Sequence, residues 1–211
     1  MGQKDTKERI LDAAEILFAE DGYHATSLRG ITRKAEANLA AVNYHFGSKE
    51  ELVAEVIKRR LVPLNELRTQ GLMALIEMAE KEKSQPEVEA ILRAFIETTL
   101  VFMETTPGAN SFITLIGRAL AEPDDTVRKI FIGLMEPVFK MMMQGLGMAL
   151  PDYPKEVLFW RLHFMIGATS HTLRCIDKCP IDIDGRSPVE NANSLVAMLL
   201  PFVTAGMEAP I

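Results

Sequence analysis

Cysteine and the large polar aromatics are scarce: 211 residues hold two cysteines, one tryptophan and three tyrosines. So few thiols exclude a densely cross-linked secreted scaffold, and both are read as reduced. The N-terminus, MGQKDTKERI, is charged and lacks the apolar stretch of a secretory signal. Its Gly2 and Thr6 match the formal pattern for myristoylation, but the match is short and is discounted. No apolar run reaches the about eighteen residues needed to span a bilayer. A cytoplasmic protein without a membrane partner is therefore expected. Sustained period-two alternation is missing, which argues against sheet. HExxH, GxxxxGKS/T and GxSxG are all missing, so neither enzymatic activity nor a cofactor is expected. Gly145-Leu146-Gly147 is only a GxG inside a helical pattern.

What is present is helical and amphipathic. Hydrophobic residues make up 48% and charged ones 25%, enough for a sizeable core in one large domain or two small ones. Residues 6–21 carry one apolar stripe, Ile10, Leu11, Ala14, Leu17 and Phe18, stopped by Asp21-Gly22. A fourth helix is predicted from Ser48 to roughly Lys83, interrupted at Pro63. Residues 86–105 form a fifth and 109–121 a sixth. Pro123 suits the first position of a seventh, reaching about Leu150 with a kink at Pro137. Pro154 opens an eighth to about Lys178, residues 179–187 are a loop, and Ser187-Pro188 open a ninth to about Gly206. The expected fold is all-α, with about nine helices, divided into residues 1–50 and 51–211.

The stretch from Thr26 to Lys49, TSLRGITRKAEANLAAVNYHFGSK, reads as two short helices and a tight turn. Ser27 is an N-cap, and Leu28, Ile31 and Ala35 share one face. Asn38 caps a second helix, whose Val42 and Phe46 turn inward and whose Leu39, Ala40 and Asn43 point out. Gly47 ends it, and Ser48 with Glu51 forms a capping box for the next. By spacing alone this is a helix-turn-helix or simply part of a bundle. Charge favours the first reading. The chain carries a net −6, yet between residues 22 and 49 Arg29, Arg33, Lys34 and Lys49 face a single acid, Glu36. Positive charge on this pair is what phosphate binding requires. In the preceding residues Lys4, Lys7 and Arg9 are outnumbered by Asp5, Glu8, Asp12, Glu15, Glu20 and Asp21.

Phe18, Gly22, Thr26-Ser27-Leu28, Ile31, Ala35, Tyr44-His45-Phe46 and Ser48-Lys49-Glu50-Glu51-Leu52 resemble the signature of the TetR family of one-component regulators. The resemblance covers roughly the first fifty-five residues. Glu36 stands where that family's turn usually has glycine, Thr32 replaces a small apolar residue, and Asn43 replaces a frequent aromatic. The resemblance implies a regulator, most simply a repressor, that binds a palindromic double-stranded operator as a homodimer and releases it on binding a small molecule. Arg29, Arg33, Lys34 and Lys49 are phosphate-contact candidates, with the polar tips of Tyr44 and His45 and the hydroxyls of Thr26 and Ser27. Base readout falls to Asn38, Leu39, Ala40, Ala41 and Asn43: alanine and leucine can touch thymine methyls, and asparagine can pair with adenine. Tyr44 has a second reading, packing against the fourth helix. A non-DNA-binding interaction module of the same fold is the rival, favoured by Glu36 and the overall acidity.

Effector candidates are drawn from the methionine and aromatic residues of the C-terminal part. Phe102, Met103, Phe112, Met135, Phe139, Met142, Trp160, Phe164 and Met165 could line a cavity or simply form core. Asn110, Arg118 and His163 are the polar groups that could orient an apolar or aromatic effector. His171, Cys175 and Cys179, at i, i+4 and i+8, are half of a metal or redox site, or a hydrogen-bonded histidine with two small apolar thiols. No CxxC accompanies them. Dimerisation is expected through the eighth and ninth helices, using Phe159, Leu162, Met165, Ile166, Thr169, Leu173, Leu195, Met198, Leu199 and Phe202.

Overall fold

The computed structural model describes residues 5–121, 125–175 and 191–211. Among the described residues every regular element is an α-helix. The first four are α1 (Thr6–Asp21), α2 (Leu28–Lys34), α3 (Leu39–Phe46) and α4 (Lys49–Glu82). They are followed by α5 (Val88–Thr105), α6 (Ala109–Ala121) and α7 (Asp125–Ala149). The last two are α8 (Lys155–Cys175) and α9 (Ala192–Glu208). Pro123, the 179–187 loop with Cys179, and the Ser187-Pro188 start of the ninth helix lie outside the described residues. As described, α9 is capped by Asn191, whose Oδ1 accepts from the Ser194 N–H at 2.9 Å.

The predicted interruption at Pro63 does not occur: α4 is one helix of 34 residues with Pro63 inside it. Pro137 likewise sits within a continuous α7. Each proline deletes one ladder hydrogen bond, but turns on both sides hold the helix together. Contacts divide the chain into two compact units, Met1–Pro63 with Gly108–Leu134, and Leu64–Pro107 with Met135–Ile211. A cut at residue 50 would fall in the first turn of α4.

In the first unit α1 packs against α2, α3 and α6. Ile10, Leu11, Ala14 and Phe18 are buried, as are Ile31, Ala35, Val42 and Phe46 and the Leu52, Val53, Val56 and Ile57 face of α4. Among these apolar side chains lies one carboxylate, Glu15, also buried. The Arg59 guanidinium donates to it through Nη2, and Arg60 Nε donates to both of its oxygens at 3.1 Å. Arg59 Nη1 also reaches Asp12 at 2.8 Å and Glu8 at 3.2 Å. Burial works against the Arg59 charge, but Glu15 and Asp12 outweigh it and hold its pKa above the ordinary arginine value. Gly108, at φ 82°, begins the approach to α6 beside this cluster; a Cβ there would stand 2.7 Å from Arg60 Nη2.

In the second unit α5 packs along α9, and α8 packs on α9. Ile91, Leu92, Ile96, Leu146, Leu158, Leu162, Leu195 and Leu200 belong to one apolar core. Gly145 lets α7 approach Ile91, whose Cδ1 would be 3.2 Å from an added Cβ. The chain end is fastened to this unit: Arg161 donates to the Met207 carbonyl at 2.8 Å, and the Tyr153 hydroxyl donates to the Glu208 carbonyl at 2.9 Å.

Glu15→Gln removes the charge that two part-buried arginines face. It is expected to lower unfolding stability by about 3 kcal/mol, the scale for breaking a buried ion pair from one side. Arg93→Ala, which breaks only the exposed pairs with Glu89 and Glu97, is expected to leave stability unchanged. Urea titration of both variants checks the contrast.

Candidate functional site

The outward face around α3 is built from local caps. Ser27 Oγ accepts from the Gly30 N–H at 3.0 Å and starts α2. Ile31 is fully buried, and Thr32 is buried with its hydroxyl donating to the Arg29 carbonyl at 3.1 Å. That internal bond is how threonine occupies a position suited to a small apolar side chain. The turn then requires a left-handed residue, and Glu36 supplies it at φ 49°. A side chain in that region costs roughly 1–2 kcal/mol, which glycine avoids. Asn38 Oδ1 accepts from the Ala41 N–H at 2.8 Å and starts α3. Gly47, at φ 75°, ends α3, and Ser48 Oγ accepts from the Glu51 N–H at 3.0 Å to start α4.

These caps fix what α3 shows to solvent. Val42 and Phe46 are buried, while Asn38, Leu39, Ala40, Asn43 and Tyr44 are exposed and Ala41 and His45 are half-buried. Tyr44 is 85% exposed, so the alternative of packing against α4 does not hold. Its ring instead lies edge-on to His45, with centroids 5.0 Å apart. Asn38 uses one lone pair of its oxygen in the cap, which leaves its amide N–H groups and the second lone pair for a partner outside the chain. Arg29, Arg33 and Lys34 are exposed on α2. Lys49 is half-buried, its Nζ 4.5 Å from the Tyr23 ring centroid and 3.3 Å from the His24 carbonyl. Thr26 does not meet the expectation of a phosphate contact. It is buried, and its hydroxyl donates to the Gly22 carbonyl at 2.7 Å. The same hydroxyl lies 3.0 Å from the Leu17 carbonyl, so it is turned toward the end of α1.

Two groups were missed. Thr6 and Arg9, in the first turns of α1, line a cleft of about 690 Å3 together with Glu36, Asn38, Ala41, Tyr44 and His45. Arg9 Nε is buried without a hydrogen-bond partner among the described residues. Lys7 Nζ lies 6.0 Å from the Phe46 ring. Summed over residues 1–21 these bases vanish among acids. Sequence position gives no clear signal either, since Asp5, Glu8 and Asp12 stand beside Lys7 and Arg9 at the same end of α1.

A family model described as "Tetracyclin repressor-like, C-terminal domain" matches residues 93–206, more than half the chain. A second, "Bacterial regulatory proteins, tetR family", matches residues 10–56. The chain belongs to the TetR family. An HTH-type transcriptional repressor of Mycobacterium tuberculosis is 43% identical over 56 residues, which is 26% of this chain and 30% of that protein. The HTH-type transcriptional regulator UidR of Escherichia coli is 36% identical over 52 residues, 25% of this chain and 26% of its own. The chain thus spans about a third or less of the length of these curated relatives. Solved structures match over nearly the whole length and share the fold. The regulator PfmR of Thermus thermophilus has a TM-score of 0.60 at 20% identity, covering 99% of both chains. The fatty acid degradation regulator FadR of Bacillus halodurans has 0.65 at 13%, covering 99% of this chain and 98% of its own.

This TetR-family chain scatters the effector candidates. Asn110, Phe112 and Arg118 are on α6, in the first unit. Asn110 is exposed and Phe112 is buried there. Arg118 does not orient an effector: it donates to the carbonyls of Ala19, Glu20 and Asp21, the latter at 3.4 Å and Glu20 at 2.6 Å. A cation there satisfies the negative end of α1. Trp160, His163 and Phe164 face outward on α8. The Phe159 carbonyl accepts from His163 Nδ1 at 2.8 Å, and the His163 ring lies 5.2 Å from that of Phe139. Phe102, Met103, Met135 and Phe139 are half-buried in the second unit, and Met142 and Met165 are buried in its core. His171 is exposed, the Cys179 partner lies outside the described residues, and among the described residues no three potential ligands group to hold a metal ion. Among them, too, no helix is long and apolar enough to cross a membrane.

Glu36→Gly is expected to raise unfolding stability by about 1 kcal/mol, because glycine takes the left-handed turn without a Cβ. A rise in the urea midpoint at unchanged slope is the expected result; Glu36→Val, β-branched at positive φ, is expected to lower it.

Proposed function

We propose that this protein is a DNA-binding transcriptional regulator, acting as a repressor that a small apolar or aromatic effector removes from a palindromic operator. The carrying observation is the solvent-facing surface of α3, capped at both ends, with exposed cations of α2 beside it. In this reading α3 enters the major groove. Asn43, Leu39 and Ala40 meet base edges; Arg29, Arg33, Lys34, Lys49, Ser27, Tyr44 and His45 meet the backbone, joined by Arg9 and Lys7. That the Mycobacterium relative is a transcriptional repressor by name supports the sign of regulation.

Two copies are required to read a palindrome, and the exposed apolar side chains of α8 and α9 support an interface there. The side chains proposed for it overlap only in part with those expected from the sequence. Leu162, Met165, Thr169, Leu195 and Leu199 are buried within their own chain and cannot pair with a copy. Phe159, Trp160, Phe164, Met198 and Phe202 remain exposed, Phe164 at 68% and Phe202 at 70%. Exposed side chains this large and apolar support an association surface. Dimerisation would also double the modest cationic surface. Phe102, Met103, Met135, Phe139 and Met142 are the proposed apolar lining for the effector in the second unit.

Induction would act through α4, which carries the chain from one unit to the other at Pro63. A tilt of that helix alters the separation of two recognition helices, and half-sites about 34–36 Å apart tolerate little change. The effector must bind the non-operator form better, by a coupling of typically about 1–3 kcal/mol.

Arg33→Ala is expected to weaken binding to operator and random DNA alike and to reduce the salt slope by about one unit. Asn43→Ala is expected to relax preference at one base position. Mobility shift on the protein's own promoter across a salt series measures both, and equal loss on all DNA from both variants would sink the division of roles. No salt-dependent shift at all would favour the rival interaction module. Phe164→Asp combined with Phe202→Asp is expected to give monomers in sedimentation with weakened operator binding; an unchanged dimer would move the interface elsewhere.

A further inference from the structure

Among the described residues the buried ionisable groups are Glu15 and Arg68, and their surroundings are opposite. Glu15 answers to two arginines. Arg68, only 3% exposed, has no carboxylate within ion-pair reach among the described residues. It stands on α4 four residues after Leu64 and four before Leu72, both buried, so it occupies a position where an apolar side chain would continue the core. Its neighbours are neutral. The guanidinium lies 4.2 Å from the centre of the Phe95 ring. Nη1 donates to Asn65 Oδ1 at 2.8 Å and to Met135 Sδ at 3.6 Å. Nη2 donates to Thr99 Oγ1 at 2.6 Å, and that hydroxyl passes its own hydrogen to the Phe95 carbonyl, also at 2.6 Å.

A guanidinium has five N–H donors. The contacts above use both hydrogens of Nη1 and one of Nη2. Among the described residues Nε–H, buried, has no partner, and one Nη2–H is also unspent. Burial alone drives the Arg68 pKa down to about 9, with no acid to restore it. The group is still charged at neutral pH, so the fold carries an uncompensated cation with open donors inside its second unit. Buried charges are ordinarily paired or bind a ligand.

We propose that Arg68 anchors the effector, and that the effector is an organic acid with an apolar body whose carboxylate accepts from Nε–H and Nη2–H. The inference rests on the reading of this chain as a ligand-responsive regulator and names the chemistry of its ligand. One carboxylate neutralises the one charge, and a planar fork suits the guanidinium. A phosphate dianion would leave a net negative charge buried among Phe95, Thr99 and Met135, with no second base beside it. The apolar body would lie against the Phe95 ring and the Met135 thioether, which adapts to varied shapes. Arg68 is not singled out by the sequence because KRRLVPLNELR carries alternating charged and apolar residues, with no one charge set apart. Only its place midway between Leu64 and Leu72, at four-residue spacing from each, hinted that this side chain faces inward.

The test uses the full-length protein without DNA. Calorimetric titration covers straight-chain acids from butyrate to palmitate and the aryl acids benzoate and cinnamate, each against its primary amide. At least one acid is expected to bind at least about tenfold more tightly than its amide, a charge-assisted hydrogen-bond effect. That preference is expected to vanish in Arg68→Met and to fall in Arg68→Lys, which keeps the charge but not the fork. The ligand-free Arg68→Met protein is expected to melt about 2–4 °C higher, since it no longer buries an unpaired charge. No acid outbinding its amide, or a preference that survives in Arg68→Met, would overturn the proposal. A melting temperature lowered by Arg68→Met would make Arg68 a packing strut and overturn it as well. Because DNA is absent, acid binding can succeed while the promoter shift fails, or the reverse, so the two readings fail separately.

Discussion

The buried carboxylate of Glu15 is the constraint on which the DNA-side unit depends. An ionised group inside an apolar core is tolerated only when its charge and lone pairs are met. Here they are met by two consecutive arginines of α4, which fixes both the rotation of α4 about its axis and its register along α1. Gly108 has to be small and left-handed for the same reason, since Arg60 occupies the space a side chain would need. The apolar faces of α1, α2 and α3 supply the bulk of the burial. The ion pairs supply the specificity of how α4 meets them, because apolar surfaces alone would accept several registers.

Glu15 and Arg68 show the same physics with opposite outcomes. One buried charge is matched inside the fold and holds helices together. The other is met only by neutral dipoles, a π face and a thioether, so its field is available to something that arrives later. Both lie on or against α4, the first before Pro63 and the second after it. The points where the chain passes between compact units fall at or near prolines: Pro63 in α4, Pro107 before α6, and Leu134–Met135 just ahead of Pro137 in α7. A proline inside a helix removes one backbone hydrogen bond, so the crossings in α4 and α7 have a slightly weaker ladder than the helix around them.

The helix-turn-helix was readable because its signals are local. Ser27, Asn38 and Ser48 cap through bonds to N–H groups three residues on, and Gly47 ends a helix by its own φ. The inward turn of Val42 and Phe46 follows from helical periodicity alone. Thr26 was misjudged because a hydroxyl looks the same in sequence whether it faces a phosphate or a carbonyl of α1. Arg118 was misjudged for a similar reason: α6 sits nearly a hundred residues from the α1 carbonyls that absorb its charge. The proposed dimer faces were placed on α8 and α9 by apolar content, yet half of the chosen side chains are buried within the chain, since both helices are apolar on more than one side.

Composition, caps and periodicity by themselves determined an all-α chain, the start and stop of nearly every helix described, and a cationic helix pair in an acidic protein. Those properties depend on residues within a turn or two of each other. Tertiary structure alone decided that α4 and α7 run through their prolines, that α6 joins α1, and which charges are matched. It also decided that Arg68 is a core residue without a counter-ion among the described residues. Whether a charge is solvated, paired or left open depends on groups brought together from distant parts of the chain, and burial raises the cost of each alternative by different amounts.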